Sequence, residues 1–193
     1  MLEDNLKELG YSPQTNENNR TFIIPDDRIS RKKFVAAKIT DSIYFLATDS
    51  YTSKAQSSTT FTGLYSAIYS SENIELRVHM KDWADFFLLT KKRKTGIKYI
   101  DDHVSITSPN SNISNNLLDE KTVDLFIEIN KKGFPYKIVI ENDYIAHISE
   151  LKNKKIVGIE TNDWVFKTED LKNLLSAGQE LISGIKSNVR NQE

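Results

Sequence analysis

Residues 74–80 read Ile-Glu-Leu-Arg-Val-His-Met, a strict alternation of apolar and polar side chains. Successive side chains of a β-strand point to opposite faces of the sheet, so this alternation predicts a half-buried strand. No other stretch of the sequence alternates as clearly. We expect one buried face formed by Ile74, Leu76, Val78 and Met80, and an opposite face formed by Glu75, Arg77 and His79.

Further strands are predicted on the N-terminal side of this segment. Thr40-Asp41-Ser42 lies between two apolar runs and is typical of a hairpin turn. Gly63 lies inside an apolar run, where glycine indicates a bulge or a close approach of two backbones. The Ser/Thr-rich tract 50–60 predicts a mobile loop or an exposed edge hairpin. The predicted strands cover residues 21–24, 34–39, 43–47 and 61–68.

Strands are also predicted on the C-terminal side. Residues 136–140 and 144–148 flank the turn-forming sequence Glu141-Asn142-Asp143, which is the best hairpin pattern in the chain. Asp101 and Asp102 are interpreted as a turn between two other strands. These other predicted strands cover residues 97–100 and 103–107, with one more at 156–159.

Three segments have apolar side chains at helical spacing. They predict a short helix over about residues 2–9, a second over 119–131 and a third over 168–187. Thr168 has the residue type of an N-cap, while Gly178 weakens the third helix locally. We expect Leu174 and Leu181 to be the most deeply buried residues of that helix and Trp164 to anchor its start against the sheet.

The fold class that these elements predict is α+β. We expect a single domain over residues 1–193, with a largely antiparallel mixed sheet packed by two main helices at about 119–131 and 168–187. Residues 1–20 are predicted to form a short N-terminal helix and a polar loop that could be mobile. A chain of 193 residues buries roughly 70% of its unfolded surface, enough for its own core.

Composition excludes several classes of protein. The 26 Lys and Arg residues nearly balance the 27 Asp and Glu residues, so the chain is not basic enough for a dedicated nucleic-acid wrapper. The absence of cysteine excludes disulfides, thiol nucleophiles and cysteine-based metal sites. No apolar run approaches the roughly 18 residues that span a bilayer, and the N-terminus lacks a signal-peptide pattern. The predicted location is the cytoplasm.

No motif in the sequence specifies a catalytic, cofactor-binding or metal-binding residue. His79, His103 and His147 are far apart and lack a metal-ligand spacing, so we interpret them as structural or surface residues. The pairs Asp26-Asp27 and Asp101-Asp102 are typical of turns, because neighbouring carboxylates on a strand point apart. There is no glycine-rich phosphate loop and no nucleophile-elbow sequence. No cofactor is predicted.

A basic run with nearby aromatic residues is the sharpest local feature. Cations beside aromatic rings can bind single-stranded nucleic acid or an anionic membrane surface. A solvated turn between two buried segments explains the same residues, and we favour that interpretation because the whole chain is slightly acidic. The candidate anion-binding residues are Lys91, Lys92, Arg93, Lys94 and Lys98, with Trp83, Phe86 and Phe87 preceding them.

The layout from residue 60 to about 150 resembles a bacterial domain family of unknown function. Its elements match Phe61-Thr62-Gly63-Leu64, His103–Ser108, a Leu-rich helix from Asn116 and the hairpin Tyr136–Ile148. Members are often preceded by membrane segments. The resemblance implies an architecture and a bacterial origin, but it implies no mechanism and no functional residue.

Three functions are compatible with the sequence. We favour a non-catalytic binding or regulatory module, with a protein partner or a second copy of the chain as open possibilities and nucleic acid not expected. The first alternative is an enzyme whose site is assembled from Asp, His and Ser by the fold. It would be favoured by a concave pocket that collects a histidine with carboxylates. The second alternative is a polyanion or anionic-surface binder that uses Lys91–Lys98.

Overall fold

The computed structural model describes residues 1–21, 29–52, 57–69, 74–81, 92–109, 117–142, 145 and 147–190. They contain four helices and nine strands. They are α1 (Leu2–Glu8), β1 (Gln14–Thr21), β2 (Ile29–Lys38), β3 (Ile43–Thr52), β4 (Ser57–Ala67), β5 (Leu76–Met80), β6 (Lys92–Arg93), α2 (Lys98–His103), β7 (Val104–Thr107), α3 (Glu120–Lys131), β8 (Lys137–Asn142), β9 (Lys155–Thr161) and α4 (Thr168–Arg190).

All nine strands form one sheet in the order β1-β2-β3-β4-β9-β8-β5-β7-β6, and every pair of neighbours is antiparallel. The chain builds β1 to β4 as successive hairpins, and β9 joins them to the second half of the sheet. The predicted α+β single domain with a largely antiparallel sheet and two main helices, now α3 and α4, is confirmed. The predicted half-buried strand is also confirmed: it is β5, in which Leu76 and Val78 are buried and Arg77 is exposed.

The helices cover one face of the sheet and form the main core with it. Leu174 and Leu181 of α4 are fully buried, as predicted, and Phe126 of α3 joins them. Trp164 is partly buried against the same core just before α4 begins. Gly178 lets α4 approach the sheet closely, because a Cβ atom there would lie 2.8 Å from Leu64 Cδ1. We call this the helix face.

The opposite face carries a second, smaller core, on which no helix of the described residues packs. Leu46, Tyr65 and Val139 form its floor, and the turn that follows β8 covers them with Ile145, Ile148 and Leu151. We call this the open face. The main core on the helix face and the second core on the open face together bury both sides of the sheet at β3, β4, β8 and β9.

Three sequence predictions about secondary structure are wrong. The predicted polar loop before residue 20 contains β1, which pairs with β2 from Gln14 to Thr21. An edge strand of this kind is held by backbone hydrogen bonds, so its exposed residues 14–17 need no apolar alternation. The predicted strand at 97–100 instead starts α2. There the Asp101 carboxylate accepts from the Thr95 hydroxyl at 2.9 Å and fixes the preceding turn.

The third wrong prediction is the return strand at 144–148. β8 is paired with β5 along one edge and with β9 along the other, so no edge is left for a hairpin partner. Its real hairpin partner is β9, after a turn in which Leu151 N donates to Ile148 O at 3.0 Å. The predicted strand at 21–24 lies outside the described residues except for Thr21.

Candidate ligand-binding cleft

The residues of the predicted basic run differ in their exposure to solvent. Lys94 and Lys98 are exposed, whereas Arg93 is half-buried and its Nε atom has no hydrogen-bond partner among the described residues. Lys92 begins the two-residue edge strand β6. Lys91 and the aromatic residues Trp83, Phe86 and Phe87 lie outside the described residues. The combination of cations with aromatic rings therefore stays a prediction.

The three histidines occupy three separate places. The Nδ1 atom of His103 lies 2.8 Å from the backbone oxygen of Tyr99, so this ring is held within α2. His79 is the cross-strand neighbour of Ser105. The buried Ser105 hydroxyl has no hydrogen-bond partner in the described part of the chain, so His79 does not hold it as a base would hold a nucleophile. His147, predicted in a strand, lies in the turn after β8.

A buried ionic network lies on the open face beside these residues. Tyr65 Oη donates to Glu160 Oε2 at 2.6 Å, and Lys137 Nζ lies 3.0 Å from Glu160 Oε1. Glu160 is 1% exposed, so both of its oxygens are engaged away from solvent. Within this network the Glu160 carboxylate is buried, whereas the Lys137 side chain is 27% exposed. Among the described residues, no set of three or more His, Asp or Glu side chains is placed to hold a metal ion.

The candidate site is a cleft of about 470 Å³ on the open face, between the first strands of the sheet and the turn after β8. We call it the sheet-face cleft. Its floor is the outward side of β2 and β3, and its far wall is the turn 147–150. The lining residues are Ser12, Gln14, Phe34, Ala36, Ala37, Lys38, Tyr44, His147, Ile148, Ser149 and Glu150.

Aromatic side chains form one end of the sheet-face cleft. The ring of His147 stacks on Phe34 with 4.8 Å between ring centroids and 24° between planes. This contact fixes the imidazole against β2. Partial burial of the ring, and after it the charge of Lys32, lowers the pKa of His147 below its usual value. The imidazole is therefore neutral at neutral pH.

Charged groups of both signs lie at the other end. Lys38 is paired with Asp41 at 3.1 Å, and this hydrogen bond is the main cause that raises the pKa of Lys38. The Ser149 hydroxyl donates to Glu150 at 2.7 Å and lowers the pKa of that carboxyl. Tyr44 lies between them, and its pKa is raised first by burial and then by the charge of Glu150. The cleft thus has an aromatic end and a dipolar end.

The sequence alone did not predict this cleft, but it contains a signal for its far wall. Ile145, Ile148 and Leu151 recur every three residues, a spacing that differs from the alternation of a strand. All three are buried in the second core. Anchoring these apolar side chains leaves His147, Ser149 and Glu150 at the rim, where they face Phe34 and Tyr44.

Two other grooves have fewer features of a ligand-binding site among their described lining residues. The larger, about 690 Å³, runs between α4 and the β2–β3 turn and is lined mostly by hydroxyl and amide side chains such as Thr40, Ser42 and Gln179. The other, about 510 Å³, lies beside the ion pair of Arg77 with Glu141. Neither contains a histidine or a stacked aromatic pair among its described lining residues.

Comparison with protein-family models, with curated proteins and with solved structures finds no match to this chain. The resemblance to a bacterial family of unknown function consequently stays a prediction. Among the described residues, no helix combines the length and the apolar character needed to cross a membrane.

Proposed function

We propose that the protein is a non-catalytic binding module that takes a small organic molecule into the sheet-face cleft. The observation that carries this proposal is the enclosed concave surface where Phe34, Tyr44 and His147 meet the polar rim of Lys38 and Glu150. Ligand sites in proteins are typically concave spaces of about 300–1,000 Å³ with mostly apolar walls and few polar groups. We further propose a bacterial origin and a cytoplasmic location. A protein partner or a second copy of the chain stays open.

The cleft is supported on both sides, which favours binding without rearrangement. Its far wall is held by Ile148 and Leu151, which are buried in the second core. Its floor belongs to the interior strands β2 and β3, paired with each other from Lys38–Tyr44 to Ser30–Thr52. A preformed site loses little conformational entropy when a ligand enters, so more of the contact energy contributes to affinity.

The experiment is an NMR fragment screen of the isotope-labelled protein. Hits should shift the amide signals of Ala36, Tyr44 and residues 147–150. Ser149→Trp should abolish these shifts, because the indole fills the cleft from an exposed rim position. The matched control is Ser176→Trp, an exposed serine on the groove beside α4, and it should leave them unchanged. Hits that cluster elsewhere, or survive Ser149→Trp, would contradict the proposal.

An enzyme is the second candidate, and one observation favours it. The same cleft collects a histidine, His147, with a carboxylate, Glu150. A neutral imidazole can act as a general base, provided that a substrate proton lies within hydrogen-bond reach. We rank this candidate second because no hydroxyl or carboxylate of the described residues holds the His147 ring in a catalytic orientation.

Turnover separates the two candidates. Cleft ligands found in the screen are incubated with the protein and followed by mass spectrometry. The binding module should return every ligand unchanged. Conversion that is lost in both His147→Gln and Glu150→Gln, while binding persists, would establish the enzyme instead.

A further inference from the structure

Opposite charges share the rim of the sheet-face cleft, and this arrangement restricts the chemistry of its ligand. Lys38 lies at the end of β2, and Glu150 lies in the turn that forms the far wall. The Asp41 hydrogen bond is the main cause of the raised pKa of Lys38 and the Ser149 hydrogen bond that of the lowered pKa of Glu150, and the charges of Lys38 and Glu150 contribute less to each other's shift. Both side chains line the cleft. The two side chains are therefore electrostatic neighbours across one space.

Both charges are held in place but remain accessible. Lys38 has an ion-pair partner in Asp41, at 3.1 Å, but its side chain is 57% exposed and its two remaining ammonium protons are available. Glu150 is exposed and accepts one hydrogen bond, from Ser149 at 2.7 Å. An ionised carboxylate has about four acceptor positions, so Glu150 can accept more hydrogen bonds.

The walls between these charges and the stacked rings are apolar. Ala36 and Ile148 lie beside Tyr44 on the way to the Phe34–His147 pair. An apolar group of a ligand would lose water against these walls. A cation would meet Lys38 at the rim, and an anion would meet Glu150 and the Asp41 carboxylate that pairs with Lys38. A neutral imidazole at the far end adds no charge to this balance.

We propose that the sheet-face cleft recognises a small zwitterion with an apolar side chain, the chemistry of a free α-amino acid. Its carboxylate would bind the Lys38 ammonium, its ammonium would bind the Glu150 carboxylate, and its side chain would lie against Tyr44 and Ile148. This inference rests on the proposed function, because it names the ligand class of the same cleft.

The test compares three probes that share a phenyl ring and differ in charge. L-phenylalanine carries both charges, phenethylamine only the cation and 3-phenylpropionate only the anion. Binding is measured by NMR titration of the amides of Ala36, Tyr44 and residues 147–150. We expect L-phenylalanine to bind about tenfold more tightly than either analogue, as the loss of one charge-assisted hydrogen bond implies.

Two charge-removing variants assign the two contacts. Lys38→Met should weaken L-phenylalanine and 3-phenylpropionate but should not weaken phenethylamine, whose cation loses a repelling neighbour. Glu150→Gln should weaken L-phenylalanine and phenethylamine but should not weaken 3-phenylpropionate, whose anion loses a repelling neighbour. Both positions are exposed, so the folded spectrum should persist, and Lys152→Met, an exposed lysine of the same turn outside the cleft lining, is the control.

The outcomes separate this inference from the proposed function. Equal affinities for the three probes, or losses that do not follow the charge removed, would overturn the zwitterion while the cleft remains a binding site. Binding of other fragments in the cleft, but of none of these three at millimolar concentration, would overturn it as well. Fragment hits only outside the cleft would overturn the proposed function itself.

Discussion

Two glycines on the open face make room for one aromatic ring. Tyr65 lies across Gly158, where a Cβ atom would come within 2.4 Å of its ring, and beside Gly63. A Cβ atom at Gly63 would also lie 2.6 Å from the backbone oxygen of Ile159. This explains why the apolar run of β4 contains a glycine, and it confirms the predicted close approach of two backbones. The space lets the Tyr65 hydroxyl reach Glu160.

Gly63→Ala should therefore destabilise the protein. The added methyl meets backbone and not a flexible side chain, and overpacking of this kind typically costs about 1–3 kcal/mol. Gly184→Ala is the matched control, because its Cβ atom would meet only Thr122 Oγ1 at 3.3 Å and alanine favours a helix. Chemical denaturation should show a clear loss for the first variant and none for the second. Equal stability of Gly63→Ala and wild type would contradict the close approach.

The alternating strand β5 gives a second prediction at the scale of single residues. Val78 is fully buried on the helix face, so Val78→Asp should cost several kcal/mol by burying a carboxylate without a partner. Arg77 is exposed and paired with Glu141, and exposed ion pairs contribute about 0–1 kcal/mol. Arg77→Gln should therefore change the melting temperature little. Similar melting temperatures for the two variants would show that the two faces are assigned wrongly.

At the scale of elements, α4 is part of the core and not a detachable tail. Its buried stripe packs on β4 and β9 within the same chain, and Lys186 Nζ donates to the buried Ser66 hydroxyl at 2.8 Å. Leu174→Ala and Leu181→Ala should each cost about 2–5 kcal/mol. Because the partners belong to the same chain, this loss should not vary with protein concentration in denaturant titrations. A concentration-dependent loss would instead indicate a seam between copies.

Truncation after Lys167 extends this prediction. Without α4, the helix face of the central strands would be exposed to water, so the shortened chain should aggregate or lose its cooperative transition. A truncated protein that stays monomeric and unfolds cooperatively would show that the sheet folds without α4.

The start of α3 gives a pH-dependent prediction. Burial tends to raise the pKa of Asp119, but its hydrogen bonds with Thr122 and Asn188 outweigh this and lower it overall. Thr122 N donates to Asp119 Oδ1 at 2.7 Å, the N-cap contact of the helix. A lowered folded-state pKa means that Asp119 stabilises the fold above its unfolded pKa and loses this effect as pH falls through the folded value.

Asp119→Ala should cost about 1 kcal/mol at neutral pH, the usual loss for an N-cap. Asp119→Asn keeps an acceptor for Thr122 N and should restore most of the stability, without the acid-dependent component. Urea titrations at neutral pH and at about pH 2, towards the acid end of the range in which such a carboxylate loses its effect, measure both effects. An alanine deficit that is as large in acid as at neutral pH would show that the carboxylate charge plays no part.

The same elements show which parts of the secondary structure the apolar periodicity of the sequence predicts. α3, α4 and β5 have long or strict apolar patterns, and the sequence predicts all three. β1 is polar and is formed by pairing with β2, which no pattern within residues 14–21 reveals. α2 has only six residues, Lys98–His103, which is too short for a periodic apolar pattern to separate a helix from a strand. The contact that fixes the turn before α2, between the Asp101 carboxylate and Thr95, is visible only in the structure.

At the scale of the whole molecule, the sheet-face cleft is a product of distant chain segments. Phe34 and Tyr44 belong to the first hairpins, whereas His147 and Glu150 follow β8, more than 100 positions later. They meet because β9 pairs with both β4 and β8 and so brings the two halves into one sheet. A single sequence contains no local signal for such a meeting, so nothing near His147 in the chain indicates that it lines a cleft.

Net charge gives the last prediction, which concerns polyanions. The chain carries a formal charge of −1, and of the candidate basic residues Lys94 and Lys98 are exposed while Arg93 is half-buried. Among the described residues, this run offers two exposed cations on a slightly acidic molecule, and few phosphate contacts release few counterions. We expect no measurable binding to single-stranded DNA or RNA at physiological salt in fluorescence-anisotropy titrations.

Low salt provides the sharper measurement. Any complex seen there should weaken by roughly 0.7 log units in affinity per log unit of salt for each phosphate contacted on a single strand. Joint replacement of Lys91, Lys92, Arg93 and Lys94 by glutamine should flatten that slope if the run makes the contacts. Replacement of the exposed pair Lys131 and Lys132 at the end of α3 is the control and should leave it unchanged. A micromolar complex at physiological salt that disappears only in the first variant would instead establish Lys91–Lys98 as a polyanion site and place it ahead of the cleft.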